Sequence, residues 1–151
     1  SLYLQTIVYP LSSIIKQEIL LIPFFGWALA FLRPIPINRK NKLQSLRKVL
    51  DIANKRLNNG FSVLVFPEGT RVKPEDGISS FSNSCGLLSV KNNIPILPVC
   101  HNSGKYWRSK EFVKQPGTIR VSIGPMFSGN DPKTLTNDVR AWMEQEYKKI
   151  T

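Results

Sequence analysis

Apolar positions recur every three to four residues from Leu43 onward. Leu43, Leu46, Val49, Leu50, Ala53 and Leu57 share one helical face, and Asn58-Asn59-Gly60 predicts where that helix stops. The same period returns after Asp131-Pro132, a helix-opening pair, with Leu135, Val139, Trp142, Glu146 and Ile150 in register. Other stretches predict strands. Ser62–Phe66 is apolar enough for a central one, Ser12–Ile15 for a short one, and Ile94–Val99 for a buried one with its prolines at the ends of the hydrophobic run. Thr118–Ile123 alternates as a strand does, and Ile35 and Ile37 flank Pro36 in the manner of a short edge strand. Short helices are predicted over Cys85–Lys91 and over Pro23–Leu32, the latter with its proline near the start. Helices interleaved with apolar strands make an α/β domain. The internal prolines and the antiparallel-looking late strand favour a mixed central sheet flanked by helices. No segment repeats, and the 151 residues are read as a single domain, 1–151.

The longest apolar stretch, Ile19–Leu32 (ILLIPFFGWALAFL), is broken by Pro23 and Gly26 and is shorter than the roughly 20 residues a spanning helix needs. Two readings stay open, a core helix and a helix on a membrane surface. Phe24, Phe25, Trp27 and Phe31 stand next to a basic run, which tips the balance toward the interface.

That run changes the picture most. The chain carries 21 Lys+Arg against 10 Asp+Glu, a formal charge of +11. Arg33, Arg39, Lys40, Lys42, Arg47 and Lys48 come in quick succession, and Asp51 is the sole acidic residue between Arg33 and Arg56. Pairing within a helix absorbs only part of that excess. Such a surface attracts nucleic acid, anionic headgroups or phosphorylated small molecules. A nucleic-acid module is disfavoured, because the chain shows no binding motif and no basic-aromatic interleaving on a predicted sheet face. The two cysteines, Cys85 and Cys100, lack CxxC spacing, so neither a disulfide scaffold nor a zinc site is expected. No basic segment precedes the first apolar residues as in a secretory leader, and an initial Ser in place of Met leads us to expect a missing upstream piece.

Residues 63–77, VLVFPEGTRVKPEDG, place dense polar chemistry at the end of a predicted strand. Ligands of open α/β sheets bind at such strand ends. Pro67 ends the ladder; Glu68 offers acceptor oxygens suited to a hydroxyl; Gly69 permits close approach or positive φ; Arg71 presents a planar fork matched to phosphate. The plainer alternative is a charged turn in which Glu68 pairs with Arg71.

VLVFPEGTR closely resembles the third signature block of the 1-acylglycerol-3-phosphate acyltransferase family. Three further stretches are similar to that family in the same order: Leu20–Lys42, ending in the block with Arg39; Ile94–Gly104 (IPILPVCHNSG); and Lys114–Phe127 (KQPGTIRVSIGPMF). The resemblance implies a glycerolipid acyltransferase-like α/β fold. It further implies transfer of a fatty acyl group from a thioester, on coenzyme A or acyl carrier protein, to lysophosphatidic acid. The product would be phosphatidic acid, in phospholipid biosynthesis. Neither a bound cofactor nor a metal is implied. Arg39 and Arg71 would grip the phosphate, Glu68, Gly69 and Thr70 would complete the substrate site, and Phe24, Phe25, Trp27 and Phe31 would face membrane or acyl chain. The implied location is the cytoplasmic face of a membrane, peripheral or anchored by a segment outside this chain.

The family's chemistry resides in an upstream His-x4-Asp or His-x4-Glu motif, in which histidine removes the acceptor's proton. No such motif occurs here: the one histidine is His101, and the residue five positions on is Tyr106. His101 follows Cys100 on a predicted strand, so the two side chains point to opposite faces and form no dyad. His101 is read as structural and Cys85 as a small helix residue. Ser82, Asn83 and Ser84 depart from the lysine and glycine expected in the family, which leaves one phosphate or coenzyme contact open. The expectations are an N-terminally shortened acyltransferase or, alternatively, a non-catalytic member that binds lysophospholipid and anionic membrane.

Overall fold

Consecutive parallel strands need a crossover between them, and in the computed structural model the first sixty residues are built on that rule. The structure describes residues 2–38, 42–108 and 111–151, without the side chains of Leu2, Lys42 and Leu43. The chain divides into two units, Ser1–Phe66 and Pro67–Thr151.

In the first unit, helix α1 (Leu2–Ile7) leads into strand β1 (Leu11–Lys16). A 3₁₀ turn (Gln17–Leu21) and helix α2 (Phe25–Ala30) cross over to β2 (Ile35–Ile37). Helix α3 (Lys42–Asn58) crosses over to β3 (Ser62–Leu64). All pairing is parallel: Ile14 stands opposite Ile35, and Ser12 opposite Val63. The sheet order is β2-β1-β3. The expected edge place of β2 is therefore observed. The expected central place of Ser62–Phe66 is not, because β1 takes the centre and pairing with β3 ends at Leu64. The apolar face of α3 packs on β2 and β3, and Val49 and Ala53 are buried, as are Leu11 and Ile35 of the sheet. Leu46, Leu50 and Leu57 are half-buried, and the Leu43 side chain lies outside the described residues. Gly60, at φ 77, ends α3 as its sequence predicts. Gly60 N donates to Leu57 O and Phe61 N to Arg56 O, a Schellman turn that satisfies carbonyls the helix leaves open.

The second unit begins with a loop containing a 3₁₀ turn (Pro74–Asp76). Helix α4 (Ser84–Asn92), strand β4 (Val99–His101), helix α5 (Ser103–Tyr106), strand β5 (Val121–Ile123) and helix α6 (Pro132–Ile150) follow. Strands β4 and β5 are antiparallel, with Cys100 opposite Ser122. The predicted strand over Ile94–Val99 is cut short: Pro95 and Pro98 have no N–H for a ladder, and an isolated bridge between Ile96 and Phe127 remains. Thus parallel and antiparallel pairing occur in separate sheets among the described residues, within an α/β architecture.

Helix α6 organises this unit. Asp131 caps it by accepting from Thr134 N at 2.7 Å, and Pro132 fills the first helical position. Leu135 and Val139 are buried, as the spacing predicts. The glutamate in that register is explained as well: Glu146 Oε1 accepts from Ser122 Oγ on β5 at 2.9 Å. Helices α4 and α6 meet at Gly86, where an added Cβ would stand 2.1 Å from Pro132 O and 2.4 Å from Thr136 Oγ1. Only glycine fits that crossing.

Candidate functional site

From Pro67 on, the FPEGTR segment forms a loop in the second unit whose ends are tied together. Ser82 N donates to Pro67 O at 2.8 Å, and Ser80 Oγ donates to Glu68 O at 3.0 Å. Gly69 has φ +66, with nothing within 4 Å of a Cβ built there. Its positive φ is a backbone conformation that glycine adopts readily and other residues rarely do. Beyond the turn the loop is held against α6: Tyr147 Oη donates to Pro74 O at 3.2 Å, and Arg140 donates to Ile78 O at 3.4 Å. Arg108 adds an ion pair to Glu75 at 2.5 Å. The turn thus rests on a fixed frame.

On this frame, the polar groups are not spent on one another. No ion pair joins Glu68 and Arg71, so the charged-turn alternative fails. Arg71 and Thr70 are exposed, and Glu68 is half-buried. Burial pushes the Glu68 carboxyl above its ordinary value of 4.5. Two features result: an acceptor held partly out of water, and, three residues later, a guanidinium with no ion pair among the described residues. The first suits a hydroxyl and the second an anion.

Arg39, the other predicted phosphate ligand, lies outside the described residues, as does Lys40. The segment leading to it is anchored, since Ser45 Oγ of α3 donates to Asn38 O. Arg39 and the FPEGTR loop belong to different units.

Phe24, Phe25, Trp27 and Phe31 are exposed, Phe31 by 87%. Of α2 only Gly26 is buried, lying so close to the 3₁₀ turn that a Cβ would stand 2.2 Å from Leu20 O. A core helix is therefore not what this segment forms in the described chain. Phe24 and Trp27 pack edge-on, with ring centroids 5.3 Å apart. No helix among the described residues is long and apolar enough to cross a membrane.

Cys100 and His101 alternate as β4 requires, Cys100 buried and His101 exposed. The imidazole Nδ1 lies 3.0 Å from Ser103 Oγ, and no carboxylate pairs with it among the described residues. Desolvation by the surrounding protein lowers its pKa, which favours the neutral ring. Burial, assisted by the charges of Glu146 and Glu68, pushes the Cys100 thiol up to about 11. Burial raises the Cys85 thiol too, and its Sγ sits 3.9 Å from Thr136 Oγ1 at the α4–α6 crossing. Neither cysteine is poised as a nucleophile. No group of three His, Cys, Asp or Glu that could hold a metal is found among the described residues.

The sequence left the roles of Ser82, Asn83 and Ser84 open. Here Ser82 closes the loop, and its Oγ accepts from Ser84 N at 3.2 Å as α4 begins. Sequence reasoning missed Ser80, Tyr147 and Asn102. Asn102 is buried beyond β4; its Oδ1 accepts from Arg120 N at 2.8 Å and its Nδ2 donates to Ile150 O at 2.9 Å.

Comparison with known proteins bears on the family and the fold. Residues 1–102 match the Acyltransferase family. A 1-acyl-sn-glycerol-3-phosphate acyltransferase of Pseudomonas aeruginosa is 38% identical over 99% of this chain and 60% of its own length. One of Helicobacter pylori is 30% identical over 90% of this chain and 58% of its own. In fold, the chain is similar to the crystal structure of the 1-acyl-sn-glycerophosphate (LPA) acyltransferase PlsC of Thermotoga maritima. The TM-score is 0.78 at 24% identity, over 93% of this chain and 56% of that one. The chain therefore spans somewhat over half the length of these three proteins.

Proposed function

The chain belongs to the acyltransferase family, and from that premise we propose that it supplies the acceptor-binding part of an enzyme that acylates lysophosphatidic acid to phosphatidic acid. One observation carries the reading: Arg71 stands exposed and, among the described residues, without an ion-pair partner, three residues after a half-buried Glu68, on a loop whose ends are tied together. Arg71 grips the phosphate, and Arg39 is the second arginine to which the family resemblance gives that role. Glu68 orients the glycerol hydroxyl, and Gly69 and Thr70 line the turn. The relatives carry this activity in their names, which supports the choice of substrate.

In the reaction, the acceptor hydroxyl oxygen attacks the thioester carbonyl of acyl-coenzyme A or an acyl carrier protein. A C–O bond forms, the C–S bond breaks, and the hydroxyl proton passes through a base to the departing thiolate. These 151 residues contain no His-x4-acid pair to act as that base, and His101 contacts Ser103 instead of a carboxylate. Their part is to bind and orient the acceptor. Positioning of this kind is itself a large fraction of catalysis. The exposed aromatics of residues 24–31 rest on the cytoplasmic surface of an anionic membrane, the source of the acceptor.

A non-catalytic lipid-binding member is the second reading, favoured by the same missing pair. Calorimetric binding of lysophosphatidic acid, followed by a turnover assay with acyl-coenzyme A on the protein extended upstream by a His-x4-acid segment, separates the two: only the first reading gives turnover there. Failure to bind lysophosphatidic acid would remove both.

A further inference from the structure

In the first unit, two guanidinium groups converge on a single ring. Arg33 Cζ lies 5.9 Å and Arg56 Cζ 5.7 Å from the centroid of Phe61. Neither arginine has a carboxylate partner among the described residues. Like charges brought together without a counter-ion repel, yet local structure holds both in place. Arg33 has φ 48, a left-handed conformation unusual for a side chain of this size, and its carbonyl accepts from the fully buried Ser12 Oγ at 2.7 Å. Arg56 occupies the last turn of α3, and its carbonyl accepts from Phe61 N, which fixes the ring beside it. Arg56 Nε is buried and has no hydrogen-bond partner among the described residues. A buried N–H without an acceptor is costly, and stacking on a ring leaves a guanidinium's in-plane donors free for oxygen ligands.

We propose that Arg33 and Arg56, aligned by Phe61, form a site for a phosphate group, and that this phosphate is the headgroup of an anionic membrane lipid. Proximity to apolar surface selects the lipid source: Phe31 and Leu32, immediately before Arg33, are exposed, as are Phe25 and Trp27. Aromatic side chains entering the acyl boundary would leave the guanidiniums at headgroup depth. The inference rests on the membrane part of the proposed function and is independent of acyl transfer.

Vesicle co-sedimentation tests it, with phosphatidylcholine alone or mixed with phosphatidylglycerol at matched ionic strength. Arg33→Ala and Arg56→Ala should each lower affinity for the anionic vesicles about fivefold and leave binding to phosphatidylcholine unchanged. Arg33→Lys and Arg56→Lys should also bind more weakly than the parent, since they keep the charge and lose the planar fork. They carry the test if an alanine variant melts early. Lysine variants that bind like the parent would reduce the site to bulk charge and overturn the proposal. Release from vesicles by millimolar inorganic phosphate, but not by chloride at equal ionic strength, would reassign the site to a soluble phosphate. Vesicle binding sensitive to Phe25→Ser and Trp27→Ser but indifferent to both arginines defeats this inference alone. No vesicle binding by the parent defeats the membrane reading with it.

Discussion

Asn102 Nδ2 reaches from the end of β4 to the last turn of α6 and donates to Ile150 O at 2.9 Å, while its Oδ1 accepts from Arg120 N at 2.8 Å. One buried amide thus joins a strand end, the chain leading into β5 and a helix terminus. Replacing it with alanine strands two backbone groups, each worth about 1–3 kcal/mol when buried and unpaired. Asn102→Ala should therefore destabilise the protein by about 2–4 kcal/mol in urea titration. Asn102→Asp should fare little better, because a carboxylate would face the Ile150 carbonyl. A cost under about 0.5 kcal/mol for the alanine variant would show that water takes over both bonds.

The phosphate grip is tested on its two arginines. Arg71→Ala and Arg39→Ala should each weaken lysophosphatidic acid binding by about 1.5–3 kcal/mol, the scale of a hydrogen bond to a charged group. A neutral monoacylglycerol should bind variant and parent equally. Equal losses for both ligands would make the arginines structural.

Glu68 predicts a separation of stability from binding. Burial raises its carboxyl above the ordinary 4.5, so the folded protein holds that proton more tightly than the unfolded chain does. Above the raised value, the ionised carboxylate costs stability; as pH falls through that value toward 4.5, the cost disappears. Glu68→Gln should therefore be at least as stable as the parent at pH 7 and lose that advantage near pH 4, while binding lysophosphatidic acid more weakly at pH 7. Melting curves at the two pH values decide it. A variant less stable at pH 7 would point instead to an ionised Glu68 that is stabilised by its surroundings.

Catalysis should require what these residues lack. A positioned general base contributes about 10²–10⁴-fold, so the 151 residues on their own should bind acceptor without useful turnover from acyl-coenzyme A. Adding a His-x4-acid segment ahead of Ser1 should restore turnover, and His→Ala within that segment should abolish it. His101→Ala in the extended protein should keep most activity. Turnover by the 151 residues that vanished in His101→Ala would make His101 the base.

What the sequence revealed followed from local chemistry. Helix α6 was legible because Asp131, Pro132 and the spacing from Leu135 to Ile150 act within a few residues. Gly60 marked the end of α3 for the same reason. Glu68, Gly69 and Arg71 stood out because their chemistry is compressed into one turn. The long-range partnerships were hidden. Asn102 finds Arg120 and Ile150 at separations of 18 and 48 residues, and Tyr147 finds Pro74 at 73. Ser62–Phe66 looked central because apolarity cannot reveal strand order, and β1, with two serines in its buried half, took that place. Ile94–Val99 was overextended because Pro95 and Pro98, read as boundaries of a strand, interrupt it.

Strand β2 has a bearing on how the protein behaves at high concentration. It is three residues long, forms one edge of its sheet, and has Pro36 at its centre, in register with Ile15. An edge strand is ordinarily a template onto which another copy can add, and edge-to-edge addition is the start of aggregation. A proline in the middle of so short an edge removes a donor that an incoming strand would need. For a protein that also exposes Phe24, Phe25, Trp27 and Phe31, this blunted edge removes one of the two backbone templates that its parallel sheet offers to a neighbouring copy, β3 being the other.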